Sequence, residues 1–148
     1  MSHAVWSGGD YNESEITNLA KTNVTVGVSD DYSHIGNKSI KITQTSSGST
    51  HLLRIIEYDL PDESLIGKTA LLTLYTFTPN DAVKFSLHFY NSNNEKISTE
   101  SVYSTPTRTE QSITVSKIIP ENTVKIRITS DVYSVYSSYI DDIHFTIQ

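Results

Sequence analysis

The chain has no cysteine, one Trp, four Pro and six Gly in 148 residues, and no apolar run approaches the roughly 20 residues that span a bilayer. Each scarcity excludes something. Without thiols there are no disulfides, thiolate metal sites or cysteine nucleophiles. Gly and Pro are too few for a disordered polymer, and the apolar residues fall into regular patterns that a solvated tail would not need. The N-terminus lacks the basic start and apolar stretch of a signal peptide, and no membrane insertion is expected. Eleven Lys and Arg stand against seventeen Asp and Glu, a net charge of -6. The cations are scattered rather than gathered in the stripe that phosphate backbones require, so nucleic acid is not an expected partner.

Catalytic signatures are missing too. The five histidines, His3, His34, His51, His88 and His144, lie on separate segments without the close spacing of a zinc site. There is no G-x-S-x-G and no Gly-rich phosphate loop. Asp141 and Asp142 are adjacent in a strand-like run, where neighbouring side chains point to opposite faces and cannot share acid-base work. The expectation is a protein that is not an enzyme.

What is present is alternation. In "NVTVGVS" Val24, Val26 and Val28 alternate with Thr25, Gly27 and Ser29, the period of two that lines one face of a strand. "GNKSIKITQT" repeats it with Ile40 and Ile42 after a turn at Gly36 and Asn37. Further strands are read at 50–58, 69–78, 83–90, 100–105, 111–115, 124–129 and 139–147, with turn formers such as "TPND" and "NSNNEK" between them. Only 12–21 and 61–66 could hold a helical turn, and neither has sustained helical spacing. About nine strands with almost no helix imply a β-sandwich or a barrel. No repeat or linker divides the chain, so 1–148 reads as a single β-sandwich domain, with 1–21 an N-terminal segment expected to include a cloning remnant.

The ordered features "NVTVGVS", "HIGNKSIKIT", "KFSLHFYNSNNEKI", "IPENTVKIRIT" and "YIDDIHFTI" resemble the carbohydrate-binding modules with a galactose-binding-like jelly-roll fold. The resemblance spans roughly residues 22 to 147. It implies an all-β, two-sheet antiparallel sandwich with sugar bound on the concave sheet or in loops at one end, and often a structural calcium. The same degenerate pattern occurs in viral and phage structural jelly rolls, so the fold is more firmly implied than the function.

Strict alternation through "YIDDIHFTI" places Tyr139, Asp141, Ile143, Phe145 and Ile147 on one face. Because Ile143, Phe145 and Ile147 are the natural core face, Asp141 is expected to point inward. A buried carboxylate must be paired, hydrogen-bonded or metal-bound, and Ca²⁺ takes oxygen ligands of this kind. The resemblance implies that such an Asp joins acids of the N-terminal segment and a backbone carbonyl near the Gly-Ser stretch. Glu13, with Asp10 and Glu15 as alternatives, and Lys38 or Ser39 stand in those places. The other reading is an Asp141 held by hydrogen bonds alone.

A sugar site combines an aromatic plane with hydrogen-bonding side chains. In "VKFSLHFY" the apolar face is Val83, Phe85, Leu87 and Phe89, leaving Lys84, Ser86, His88 and Tyr90 opposite, and "VKIRIT" likewise leaves Lys125, Arg127 and Thr129. If the two strands are neighbours, as the resemblance implies, His88, Tyr90 and Arg127 line one groove with Arg54 and Tyr103 at its sides. The alternative is an ordinary solvated sheet face. The loop "SDVYSVYSSY" adds Tyr133 and Tyr136, in the Tyr and Ser composition of adaptable binding loops.

The expected function is therefore a non-catalytic carbohydrate-binding module, an excised part of a larger glycan-active or surface protein, binding a poly- or oligosaccharide in an extracellular or cell- or virion-surface setting. The rival expectation is a structural or receptor-binding jelly-roll domain of a viral, phage or bacterial surface assembly, in which the domain forms an oligomer.

Overall fold

The structure, a computed structural model, describes residues 3–8, 19–34, 38–45, 51–133 and 137–148. These form eleven strands: β1 (His3–Gly8), β2 (Lys21–Thr22), β3 (Val24–Ser29), β4 (Ser39–Gln44), β5 (Leu52–Asp59), β6 (Thr69–Phe77), β7 (Val83–Tyr90), β8 (Lys96–Tyr103), β9 (Gln111–Ile118), β10 (Lys125–Val132) and β11 (Ser138–Ile147). Among the described residues the one helical element is a 3₁₀ turn at Glu63–Leu65, N-capped by Asp62, whose carboxylate accepts from the Ser64 N–H.

The strands make two antiparallel sheets packed face to face. One runs β3-β4-β11-β6-β9, with β1 added along β11, and the other runs β2-β5-β10-β7-β8. This is the expected all-β sandwich. Alternation explains it strand by strand. In β6, Ala70, Leu72, Leu74 and Thr76 are buried while Leu71, Thr73 and Tyr75 are not. In β7, Phe85, Leu87 and Phe89 have no exposed surface and meet Ile126 and Ile128 of β10 on the inner face. Phe145 of β11 closes the space between the sheets, its ring edge-on to Tyr58 of β5 at 6.4 Å and 81°.

Two bulges decide which side chains reach the surface. In β5, Ile128 of β10 pairs with Ile56 but Thr129 pairs with Arg54, so Ile55 is the extra residue. Arg54 and Glu57, three apart, consequently share the outer face, which strict alternation forbids. In β11, pairing with β6 slips between Asp141 and His144, and Asp142 has φ 51°. That is the left-handed region, where Asp is among the better tolerated residues. The edge of β11 is divided at the same point: β4 pairs with Ser138 to Ile140, and β1 pairs with Ile143 to Ile147.

The β11 bulge corrects one expectation. Ile140 and Ile143 both face the core, so Asp141 points to the opposite, outer side, across from Tyr75 of β6. Its carboxylate is fully buried all the same, because residues Asp31 to His34 lie over that side of the sheet. The strand bounds also shift: the hairpin after β7 is tighter than expected, so β8 already begins at Lys96, and β2 occupies part of the 12–21 segment read as a possible helical turn. Residues 12–18 of that segment lie outside the described residues.

Candidate functional site

The outer face of the five-stranded sheet is built in rows that cross from β5 through β10 and β7 to β8. The rows are Asp59, Lys125, Tyr90 and Lys96; Glu57, Arg127, His88 and Thr99; Arg54, Thr129, Ser86 and Ser101; and Leu52, Asp131, Lys84 and Tyr103. His88, Tyr90 and Arg127 are thus brought together, with Arg54 on one flank and Tyr103 on the other.

Glu57 organises the first half of the face. It accepts from Arg127 Nε at 2.6 Å, pairs with Arg54, and lies 3.8 Å from Lys125 Nζ. Burial pushes its carboxyl up, but the hydrogen bonds from Arg127 and Arg54 outweigh it and hold the pKa below the ordinary carboxylate value. The Arg127 guanidinium carbon stands 4.7 Å from the centre of the Tyr90 ring, a cation–π contact that covers one face of the ring. Tyr90 is therefore not an open platform on that side.

His88 sits in the middle. Its ring nitrogens lie 2.9 Å from Thr129 Oγ1 and 3.2 Å from Thr99 Oγ1. Burial first, then the charges of Lys96, Lys84 and Arg127, push its pKa down to about 4. It is a neutral donor and acceptor at ordinary pH.

The open aromatic surface lies at the other end of the face. Tyr103 and Tyr133 stack with centroids 6.4 Å apart and an interplanar angle of 27°, and they are 57% and 47% exposed. Beside them Lys84 Nζ lies 3.5 Å from Asp131 Oδ2. A stacking platform with hydrogen-bonding groups in the adjacent rows is what a pyranose ring requires. Tyr136 lies outside the described residues.

The outer face of the other sheet is also aromatic but is already covered. Tyr32 stacks on Phe77 at 5.5 Å and lies 6.1 Å from Tyr139, while His34 stacks on Tyr75 at 3.5 Å. Glu110 pins this segment, accepting from Tyr32 Oη at 2.6 Å and lying 2.9 Å from His34 Nδ1. Burial, then the bond to Glu110, pushes the Tyr32 phenol well up. The His34 backbone N–H donates to Asp141 Oδ2 at 2.7 Å.

That bond engages Oδ2 with a donor, the opposite of a metal contact at that oxygen. Among the described residues no group of three His, Cys, Asp or Glu could hold a metal ion. Of the other expected ligands, Lys38 is described and Glu13 lies outside the described residues, as do Asp10 and Glu15. The described donors alone do not fit Ca²⁺, which takes six to eight oxygens.

Sequence reasoning passed over Glu57, Tyr32 and His34. The consecutive Ile55 and Ile56 were the available sign of the bulge that exposes Glu57. Tyr32 and His34 lie in irregular chain, where periodicity carries no signal.

No protein-family model matches this chain, and no curated protein sequence does. Solved structures do. The enzymatically active domain of bacteriophage CBA120 tailspike protein 4 superposes with a TM-score of 0.72 at 14% identity, over 88% of this chain and 19% of the tailspike chain. The CBM22-1 xylan-binding domain of Paenibacillus barcinonensis Xyn10C covers 99% of this chain and 92% of its own, with a TM-score of 0.60 at 11% identity. TmCBM61, solved with β-1,4-galactotriose, covers 88% of both chains with a TM-score of 0.54 at 16% identity.

The chain has the fold of the β-sandwich carbohydrate-binding modules. At these identities the likeness establishes the jelly roll and not the ligand. The chain spans about a fifth of the solved tailspike chain it resembles.

Proposed function

We propose that the chain is a non-catalytic carbohydrate-binding domain whose ligand lies across the outer face of the five-stranded sheet. The observation that carries this reading is the exposed Tyr103–Tyr133 stack, continuous through the sheet rows with His88, Arg127 and Tyr90. The rings supply a plane for the C–H face of a sugar, and the polar rows supply donors and acceptors for its hydroxyls. The equivalent face of the other sheet is occupied by Tyr32 and His34. A hollow of about 630 Å³ lined by Glu63, Ile66, Ser92 and residues 121–124 has neither an aromatic ring nor a cation among its lining residues. A shallow sheet face buries little ligand area, so binding is weak and exchangeable.

A glycan-array screen of the purified chain, repeated with Tyr103→Ala and Arg127→Ala variants, tests the reading. Binding lost in both variants supports it; binding retained in both moves the site elsewhere.

An extracellular or surface setting is part of this proposal, supported by glycan-binding neighbours. No helix among the described residues is long and apolar enough to cross a membrane. A structural Ca²⁺ also belongs to the proposal. It requires acids of the N-terminal segment, Glu13 first, to reach Asp141 while Oδ2 keeps the His34 N–H.

The fit to a phage tailspike domain favours a second reading, a jelly roll that supports a surface assembly. A sizing column distinguishes the two: a concentration-independent oligomer with no glycan binding supports the assembly role.

A further inference from the structure

The face proposed to bind sugar differs in charge from the rest of the chain. Among the described residues it carries Arg54, Lys84, Lys96, Lys125 and Arg127, five of eleven cations, but only Glu57, Asp59 and Asp131 of fourteen acids. A face that collects cations in a protein of net charge -6 raises the local potential against the overall field.

The arrangement also shows what the face accepts. Glu57 sits among Arg54, Lys125 and Arg127, each of which stays a quarter to a third exposed at its side chain. A guanidinium has five N–H donors in a fixed fork, and the Glu57 contact at Arg127 engages Nε. Across Tyr90 from Lys125 stands Lys96, which forms no ion pair among the described residues. Burial first, then the charges of Lys96, Lys84 and Arg127, hold the His88 pKa down, so its ring adds no positive charge of its own to the face.

We infer that the ligand of this face is an acidic glycan bearing carboxylate sugars, with Lys96, Lys125 and Arg127 receiving the uronate groups and Tyr103 and Tyr133 receiving a ring. The inference rests on the sugar-binding reading above and narrows it to a polyuronate class.

The test compares polygalacturonate and alginate with the same polymers after carboxyl reduction, which keeps linkage and length but removes the charge. The full chain is titrated with each by affinity electrophoresis and calorimetry at about 0.05 and about 0.5 M salt, where screening differs severalfold in length. The expected result is at least about tenfold tighter binding of one polyuronate than of its reduced form, a gap of 1.4 kcal/mol, that shrinks at the higher salt. Lys96→Gln with Lys125→Gln lowers that preference severalfold by weakening the acidic polymer far more than the reduced one, and Lys68→Gln with Lys117→Gln, an equal charge change off the face, leaves it intact.

Equal binding of the acidic and reduced polymers overturns the inference and leaves sugar binding standing. Binding of neither form, nor of any arrayed glycan, overturns both. Dextran sulfate binding as tightly as the polyuronates, with Lys68→Gln plus Lys117→Gln as damaging as the double variant on the face, also overturns it, because undirected charge attraction then accounts for everything.

Discussion

Arg127 Nε and Glu57 Oε2 meet at 2.6 Å across the β10–β5 ladder, while the same guanidinium lies 4.7 Å from the Tyr90 ring centre. One side chain therefore ties a carboxylate on one neighbouring strand to an aromatic ring on the other.

Replacing Arg127 by Lys keeps the charge but loses the planar fork and the ring contact. Glycan affinity is expected to fall about tenfold, a change of about 1.4 kcal/mol. Because the pair is partly exposed, stability changes by no more than about 1 kcal/mol. Calorimetric titration beside a denaturant melt checks both values, and an unchanged affinity removes Arg127 from the site.

Tyr103 and Tyr133 are exposed and stack mainly on each other. Either one changed to Ala should leave the unfolding midpoint almost unmoved, within about 0.5 kcal/mol, while weakening sugar binding by about 0.5–1.5 kcal/mol from lost ring packing. A variant that melts early but binds normally would show that the rings cap the fold instead.

His88 gives a pH dependence whose sign follows from its depressed pKa, about 4 against the ordinary 6.5. As pH falls below 6.5 the unfolded chain takes the proton first, so stability contributed by neutral His88 is lost between about 6.5 and 4 and changes no further below. Discounted for partial exposure, the loss is about 1–2 kcal/mol. Denaturant midpoints of His88→Gln should be flatter with pH across that window than those of the parent chain.

Asp141 is fully buried and accepts the His34 N–H. Asp141→Ala strands that donor and should cost about 1–3 kcal/mol. It should also loosen the segment over Tyr75 and Phe77, seen as faster amide exchange at His34. Melting the parent chain with Ca²⁺ and with a chelator checks the calcium proposal in the same experiment. A midpoint that drops on chelation in the parent but not in the variant supports a metal at Asp141, and equal midpoints in the parent count against it.

The sandwich was legible because its strands alternate cleanly: Val83 to Phe89 and Ile126 to Ile128 reveal the inner face without help from tertiary contacts. The opposite faces of those strands, with His88, Tyr90 and Arg127, were legible for the same reason. What alternation could not show is where alternation stops. An extra residue at Ile55 put Glu57 beside Arg54, and the turn of phase at Asp142 sent Asp141 to the outer side. Bulges of this kind are set by pairing between distant segments, so local pattern carries little trace of them. Tyr32 and His34 reach the sheet through irregular chain, and distant partners such as Phe77, Tyr75, Glu110 and Asp141 define their place.

The pairing of β1 with the second half of β11 sets His3 beside Ile147. With β6 along one side, and β4 followed by β1 along the other, β11 leaves no open edge of its own at 138–140 or 143–147, and a second chain cannot add to this sheet there.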